Sequence, residues 1–282
     1  RPLNINYLKK AQKTPSNDAD AVHQQAKSML DEIEEGGDQT ALKYALDLDQ
    51  WDGPIVVPQE TIQAAESTLS EQLRRDIHLA HHNINLFAKA QREAIQNVQI
   101  EVVPGLIAGQ KQIPVHTAGC YVPGGRYSHI ASAIMAVTTA KVAGVQHIIA
   151  CSPPKPGVGI PPAMLYTLNL CGADSIINLG GVQGVAAMAF GLFGLPQADI
   201  LVGPGNQFVT EAKRVLFGRV GIDMLAGPTE ILVIADASAD PELVTLDLIG
   251  QAEHGYNSPV WLIALDRHLA ERVVELAPQL AG

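Results

Sequence analysis

The stretch that decides the fold is VHTAGCYVPGGRYSHIASAIMAVTTAKVAGVQHIIACS, residues 115–152. An apolar run at residues 115–122 is followed by a Pro-Gly-Gly turn, a helical pattern over residues 131–143 and a second apolar run at residues 147–152. This order of strand, glycine turn, helix and strand is typical of a parallel sheet whose strands are connected by helices.

The same alternation continues towards the C-terminal end of the chain. Further strands are predicted at residues 175–179, 200–202, 230–235 and 260–264, and further helices at residues 161–170, 182–192, 207–217, 241–254 and 268–276. The predicted fold class is therefore α/β, with two Rossmann-like units and mostly parallel sheets. Right-handed crossovers place the functional loops of such a sheet at the carboxyl ends of its strands.

The first hundred residues have helical patterns instead. The predicted helices are residues 18–35, ended by Gly36-Gly37, a second helix capped by Asp38 and reaching Leu48, and a long region from Pro58 towards Ala94. Three histidines at helical spacing lie in the last region (His78, His81 and His82). No acidic third ligand is near them in the sequence, so exposed helix histidines are favoured over a metal site.

Composition excludes several classes of protein. The net charge of −10 argues against a nucleic-acid partner, because phosphates usually require a basic face. No apolar run reaches the roughly 20 residues that a membrane helix needs, and the N-terminal segment lacks the apolar run of a secretion signal. The three cysteines have no metal-type spacing, and apolar neighbours predict buried free thiols in a reducing compartment. We therefore expect a cytoplasmic protein without a membrane or nucleic-acid partner.

Three glycine-containing loops follow predicted strands and lead into predicted helices. They are Tyr121-Val122-Pro123-Gly124-Gly125, Gly180-Gly181-Val182-Gln183 and Gly203-Pro204-Gly205-Asn206. Helix N-termini attract anions, and glycine lets a ligand approach the backbone closely. A single such loop is more often an ordinary turn, and none matches the dinucleotide fingerprint or the phosphate loop with its lysine. Three at one edge of a sheet favour a nucleotide or phosphate site.

Two further groups of residues are candidates for chemistry. Gln251 and His254 share a helical face, and their side chains can bind zinc, although two ligands do not complete a tetrahedral site. A histidine that ends a helix, stabilised by the helix dipole, is the more common explanation of that spacing. Arg126, close to His129, offers a pocket for a planar or tetrahedral anion. The alternative, a solvated Arg126 with Tyr127 packed, fits the pattern equally well.

Six short motifs follow one another along the chain: Cys120-Tyr-Val-Pro-Gly-Gly, Lys141-Val-Ala-Gly-Val, Gly203-Pro-Gly-Asn, Gly221-Ile-Asp-Met, Ala226-Gly-Pro-Thr-Glu and Gln251-Ala-Glu-His-Gly. With these motifs in this order, the sequence resembles the histidinol dehydrogenase superfamily over the whole chain. Within the superfamily, PGGRYSHIASAIM, CSPPKPGVGI, GGVQGVAAMAFGLFGLP and EHGYNSPVW are similar to the sulfopropanediol 3-dehydrogenase branch. Histidinol dehydrogenases usually carry a different segment after the Pro-Gly-Gly, without the Arg and His, and usually Ser where Thr229 stands.

The resemblance implies a homodimeric enzyme that oxidises a primary alcohol through an aldehyde to a carboxylate, with NAD and Zn²⁺ as cofactors. For the branch, the substrate is a small anionic alcohol, 2,3-dihydroxypropane-1-sulfonate, and the product is 3-sulfolactate. The resulting assignments are NAD contact for Tyr121, Gln183 and Asn206, substrate contact for Arg126, His129 and Thr229, and zinc ligation for Gln251 and His254.

The resemblance also bears on domain organisation. It implies an N-terminal arm (residues 1–14), a discontinuous first α/β domain (residues 15–120 and 229–282) and an inserted second α/β domain (residues 121–228). Family members continue well past residue 282, and that part would hold the catalytic Glu-His pair and the remaining zinc ligands. We therefore expect this chain to lack the C-terminal part of the family fold and to be inactive alone.

Two other functions remain open at this point. Histidinol dehydrogenase itself would carry out the same chemistry on a cationic substrate, whose protonated amine Arg126 would repel. A non-catalytic nucleotide- or anion-binding module, complete at this length, would use the same loops without oxidising anything.

Overall fold

The computed structural model describes residues 6–10, 19–124, 129–225, 229–252 and 258–281. The chain divides into two compact units, Ala19–Ala226 and Gly227–Gly282, the latter grouped with Arg1–Asp18. The first unit contains the helices α1 (Ala19–Asp49), α2 (Gln59–Ala65), α3 (Glu71–Ala94), α4 (Ile130–Ala143), α5 (Pro162–Cys171), α6 (Gly181–Phe190) and α7 (Gln207–Leu216). Its strands are β1 (Val98–Val103), β2 (Leu106–Gln110), β3 (Thr117–Tyr121), β4 (His147–Ser152), β5 (Ser175–Asn178), β6 (Ile200–Val202) and β7 (Gly221–Ile222).

A five-stranded parallel sheet with the order β5-β4-β3-β6-β7 organises the first unit. The chain winds outward from β3 to β5 and then returns to the other side of β3 for β6 and β7. This is the strand order of a doubly wound, Rossmann-like sheet, and it confirms the predicted α/β class. The direction of winding reverses between β3 and β6, so the crevice of the sheet lies at their carboxyl ends.

The two faces of the sheet have separate apolar cores, because successive strand residues point to opposite faces. Ala118 and Cys120 of β3 lie in the core that holds residues of α4 and α5. Tyr121 and its neighbour Cys151 of β4 lie in the core that holds residues of α1, α6 and α7. All three cysteines are buried and free, as the sequence predicted.

The N-terminal helices cover these two layers. Helix α1 packs on α6 and α7, whereas α2 packs on α5 and α3 packs on α4. Gly37, with φ of 59°, breaks α1 where the sequence predicted a stop between two helices. The predicted single helical region after Pro58 is wrong, because a 3₁₀ turn (Glu66–Thr68) and an extended Leu69 separate α2 from α3. Ser70 begins α3 as its N-cap, with its hydroxyl accepting from the backbone N–H of Leu73.

Strands β1 and β2 form an antiparallel hairpin that the sequence analysis did not predict. The turn contains Pro104 and Gly105, and Gly105 has φ of 84°, a value that glycine adopts without strain. Every residue of both strands is exposed in the chain.

The second unit repeats the strand–helix pattern on a smaller scale. It consists of β8 (Ile231–Ala235), α8 (Pro241–Ala252), β9 (Val260–Ala264) and α9 (Arg267–Leu280), with β8 and β9 paired in parallel. Ala235, Val244, Leu248, Leu269 and Val273 form its core.

These units differ from the predicted domains. Residues 19–120 group with the inserted segment here, because β3 begins at Thr117 inside the five-stranded sheet and α1–α3 cover that sheet. None of the helices in the described ranges is long and apolar enough to cross a bilayer.

Candidate nucleotide-binding site

The three glycine loops lie at the carboxyl ends of parallel strands, as predicted. Tyr121 ends β3, Gly180 follows β5 and Gly203 follows β6. Two of the loops lead directly into helices, since Gly180 is the N-cap of α6 and Asn206 is the N-cap of α7. Because β3 and β6 flank the point where the winding reverses, the first and third loops border the crevice in which doubly wound folds bind ligands.

The phenol of Tyr121 links the first loop to the second. Its hydroxyl accepts a hydrogen bond of 3.0 Å from the backbone N–H of Gly181. The residue is 4% exposed, and burial raises the pKa of the phenol well above its usual range. Tyr121 therefore stays neutral and holds the N-terminus of α6 against the end of β3.

A carboxylate from α1 holds the second loop from the other side. Oδ2 of Asp49 accepts from the Gly180 N–H and from Nε2 of Gln183, both at 2.9 Å. Burial raises the pKa of Asp49, and these two hydrogen bonds partly oppose the shift. The contact joins residues more than 130 positions apart.

Gln183 itself is 1% exposed, and within the described part of the chain its Oε1 has no hydrogen-bond partner. Gly181 lies directly beside this oxygen, which would be 3.2 Å from a Cβ at that position. Buried amide oxygens are nearly always bonded, so an orphaned acceptor beside a glycine loop is an unusual feature.

The third loop runs against the end of β3. Gly203 has φ of 113°, and a Cβ built on it would lie 2.0 Å from the carbonyl oxygen of Tyr121. Only glycine fits this position. Asp223 accepts from the Gly203 N–H at 2.8 Å, while the buried ammonium of Lys213 donates to the Gly203 carbonyl at 3.0 Å. Lys213 also pairs with Asp223, so one ion pair fixes both polar groups of the glycine.

Asn206 caps α7 with its side chain. Its Oδ1 accepts from the backbone N–H groups of Phe208 and Val209, at 3.0 and 3.1 Å. The amide nitrogen Nδ2 is then the end of the side chain that can donate to a ligand. Asn206 is exposed, unlike Tyr121 and Gln183.

The structure describes two of the three predicted substrate residues. Arg126 lies outside the described residues. His129 is the N-cap residue of α4, and its carbonyl accepts from the Ala133 N–H at 3.2 Å. Thr229 belongs to the second unit, where it is exposed.

The predicted zinc ligands also belong to the second unit. Nε2 of Gln251 donates to the carbonyl of Thr229 at 3.1 Å, which leaves Oε1 as the atom that could bind a metal. Helix α8 ends at Ala252, and His254 lies outside the described residues. Across the residues that the structure describes, no group of three His, Cys, Asp or Glu side chains could hold a metal ion. In α3, His78 bonds to the hydroxyl of Tyr166 at 2.9 Å instead.

Sequence reasoning missed the three charged residues that hold the loops, Asp49, Lys213 and Asp223. Lys213 carried a usable signal, because it follows Val209 by four residues and therefore falls on the apolar stripe of α7. A lysine on such a stripe indicates a buried partner. Asp49 carried no comparable signal, since its partners lie far away in the sequence.

Together these features define the class of site: two helix N-termini and a glycine pressed against a strand end, at the crevice of a doubly wound sheet. Such an arrangement can bind the phosphates of a nucleotide without a lysine-bearing phosphate loop. The orphaned acceptor of Gln183 adds a position for a donor group.

Comparisons with known proteins identify the family. The histidinol dehydrogenase family model matches residues 12–281. Sulfopropanediol 3-dehydrogenase from Ruegeria pomeroyi is 62% identical over 276 residues, which cover 98% of this chain and 63% of that protein. Histidinol dehydrogenase from Salmonella typhimurium is 39% identical over 261 residues, covering 91% of this chain and 59% of the relative. The crystal structure of histidinol dehydrogenase from Elizabethkingia anophelis superimposes with a TM-score of 0.84 at 33% identity, covering 96% of this chain and 62% of that one.

The chain belongs to the histidinol dehydrogenase family, and the resemblance seen in the sequence is confirmed. It spans a little less than two thirds of the length of these relatives.

Proposed function

We propose that the chain is part of a zinc- and NAD-dependent dehydrogenase that oxidises 2,3-dihydroxypropane-1-sulfonate through the aldehyde to 3-sulfolactate. Support for the substrate comes from the relatives, since identity is 62% to a sulfopropanediol 3-dehydrogenase and 39% to a histidinol dehydrogenase. The proposed enzyme is a cytoplasmic homodimer.

Support for NAD rests chiefly on one observation, the buried oxygen of Gln183 that has no partner among the described residues. Tyr121 and Asp49 hold the loop around it, and Asn206 presents an amide on the next loop. In the proposal, these loops bind and orient the dinucleotide at the crevice between β3 and β6. When bound, NAD would supply the hydride acceptor for oxidation of the alcohol carbon.

Support for zinc is limited to the chemistry of the donors. Gln251 offers an amide oxygen next to Thr229, and His254 follows three residues later. Zinc bound there would polarise the alcohol oxygen, provided that residues beyond this chain complete the tetrahedron. The general base also lies outside residues 1–282 in the proposal.

Arg126 is the residue that favours a sulfonate over histidinol. A sulfonate is a permanent anion, and the planar guanidinium offers it several donors without ever losing its charge. The cationic amine of histidinol would face repulsion at the same position. His129 would add a donor from the start of α4.

Steady-state kinetics of a protein of the relatives' length, prepared as wild type, Arg126→Ala and Arg75→Ala, test this proposal. Arg75 is an exposed arginine of α3 and serves as the matched control. Loss of a charge-assisted bond should raise KM for the sulfonate about tenfold or more in Arg126→Ala. NAD affinity should stay near the wild-type value, and Arg75→Ala should change neither constant.

Two outcomes would contradict the proposal. Faster oxidation of histidinol than of the sulfonate by the wild-type protein would identify a histidinol dehydrogenase. Absence of NAD binding and of any turnover would favour a non-catalytic module.

A further inference from the structure

The second glycine loop contains an amide whose orientation is decided by a neighbour. A glutamine side chain has a donating end and an accepting end, and rotation by half a turn exchanges them. At Gln183 the donating end, Nε2, faces Asp49, and the accepting end, Oε1, lies beside Gly181. The orientation matters because Oε1 is the buried atom without a partner.

The acceptor atom Oδ2 of Asp49 explains this choice. Because Oδ2 accepts the hydrogen bond from Nε2, the reverse orientation would set Oε1 against Oδ2, two acceptors facing each other. The same Oδ2 also accepts from the Gly180 N–H, which fixes the carboxylate relative to the backbone of the loop. A Cβ at Gly180 would lie only 2.6 Å from Oδ1, so the loop and the carboxylate are closely packed.

We propose that Asp49 is a positioning residue for the nucleotide site: it holds the Gln183 amide with Nε2 inward, and so keeps Oε1 as an acceptor for a hydroxyl or amide donor of NAD. This inference rests on the proposed NAD binding and extends it to a residue that does not itself touch the nucleotide. The positioning role explains why a half-buried carboxylate occupies the end of α1, where an apolar side chain would pack without the free-energy cost of desolvating a polar group.

Asp49 has titratable neighbours in this cluster. Tyr121 and Cys151 are the titratable groups whose pKa values are raised in part by its charge. Burial is the main cause in both cases, and both groups stay neutral in the range of a binding assay. The orientation of the amide therefore depends on the acceptor at position 49.

Calorimetric titration of NAD into the full-length protein tests the proposal with three variants. Asp49→Leu keeps the approximate shape and removes the acceptor, so NAD affinity should fall about tenfold. Asp49→Asn can place its amide oxygen where Oδ2 was, so its affinity should stay within about threefold of wild type. Asp52→Asn, an exposed aspartate three residues further on, is the matched control and should bind as wild type. Unchanged affinity in Asp49→Leu, or an equal loss in Asp49→Asn, would overturn the proposal.

Gln183→Glu provides a second test, which can be carried out even if Asp49→Leu fails to fold. The substitution keeps an acceptor beside Gly181 and replaces the amide donor by a carboxyl, which can donate to Asp49 only when protonated. NAD affinity should be close to wild type near about pH 5 and fall about tenfold or more by about pH 8. Adding Asp49→Asn should remove this pH dependence. Loss at every pH would mean that NAD needs the amide nitrogen, and the proposed orientation would be refuted.

Titration of the wild-type protein with NAD distinguishes failure of the proposed function from failure of the positioning role. A wild-type protein that binds no NAD overturns the proposed function, and the positioning role with it. A wild-type protein that binds NAD while the position-49 and position-183 variants bind equally well overturns only the positioning role.

Discussion

Gly203 is the position where adding one methyl group should disturb the site most. In Gly203→Ala, the new Cβ would lie 2.0 Å from the Tyr121 carbonyl oxygen, so the loop must move away from β3. That movement would break the 2.8 Å bond from the Gly203 N–H to Asp223. Gly218 is a matched control, because it also has a positive φ, 92°, but a Cβ there meets nothing within 4 Å.

The two substitutions should differ by the cost of the clash. Placing alanine at positive φ costs about 1–2 kcal/mol at either position. Gly203→Ala should lose in addition the charge-assisted bond to Asp223, about 1.5–3 kcal/mol. We therefore expect about 2.5–5 kcal/mol of destabilisation for Gly203→Ala and about 1–2 kcal/mol for Gly218→Ala.

Equilibrium urea denaturation followed by circular dichroism measures both values, because the free energy of unfolding extrapolates linearly with denaturant. NAD titration of the same proteins should show weakened binding in Gly203→Ala alone. Equal destabilisation by the two substitutions would refute the close approach of the third loop to β3.

Three other variants test the surrounding residues. Lys213→Met should destabilise the protein by about 1–3 kcal/mol in urea denaturation, because the Gly203 carbonyl loses its donor and Asp223, 31% exposed, loses its ion pair. Asp49→Asn should stabilise the protein at neutral pH, because the raised pKa of Asp49 means that folding favours the protonated carboxyl. The wild type therefore loses stability as pH rises above about 3.9, and the urea denaturation curves of wild type and variant should converge below that value. In a protein of the relatives' length, His254→Ala should lose most of its zinc, as measured by mass spectrometry, and wild-type zinc content in that variant would contradict the ligand assignment.

Local patterns in the sequence predicted most of the sheet. Strand runs, glycine turns and the break at Gly37 depend on residues close together in the chain, and the structure confirms them. The separation of α2 from α3 was missed although Ser70 is a typical N-cap residue. The hairpin was missed although Val98, Ile100 and Val102 of β1 alternate with polar residues and Pro104-Gly105 marks a turn; β2 (Leu106–Gln110) shows no such alternation.

The candidate site was predictable only in part, for a different reason. The glycine loops can be identified from residue type alone, whereas the side chains that bind them, such as Asp49, come from distant segments of the chain. The sequence gives no indication that Asp49 meets Gly180, because their proximity results from packing of α1 on α6. The orientation of the Gln183 amide was likewise not predictable, because it depends on the contact with Asp49.

The three cysteines are divided between the two layers of the first unit, so their reactivities would report separately on the local unfolding of each layer. Cys151 lies beneath α1, α6 and α7, whereas Cys120 and Cys171 lie on the side of α4 and α5. Burial raises the pKa of Cys120 to about 12 and that of Cys171 to about 11, so little reactive thiolate exists even when a reagent arrives. Alkylation of each thiol should therefore await local unfolding of the helices above it. Mass-spectrometric rates at the separate cysteines would show whether the two helical layers detach together or independently.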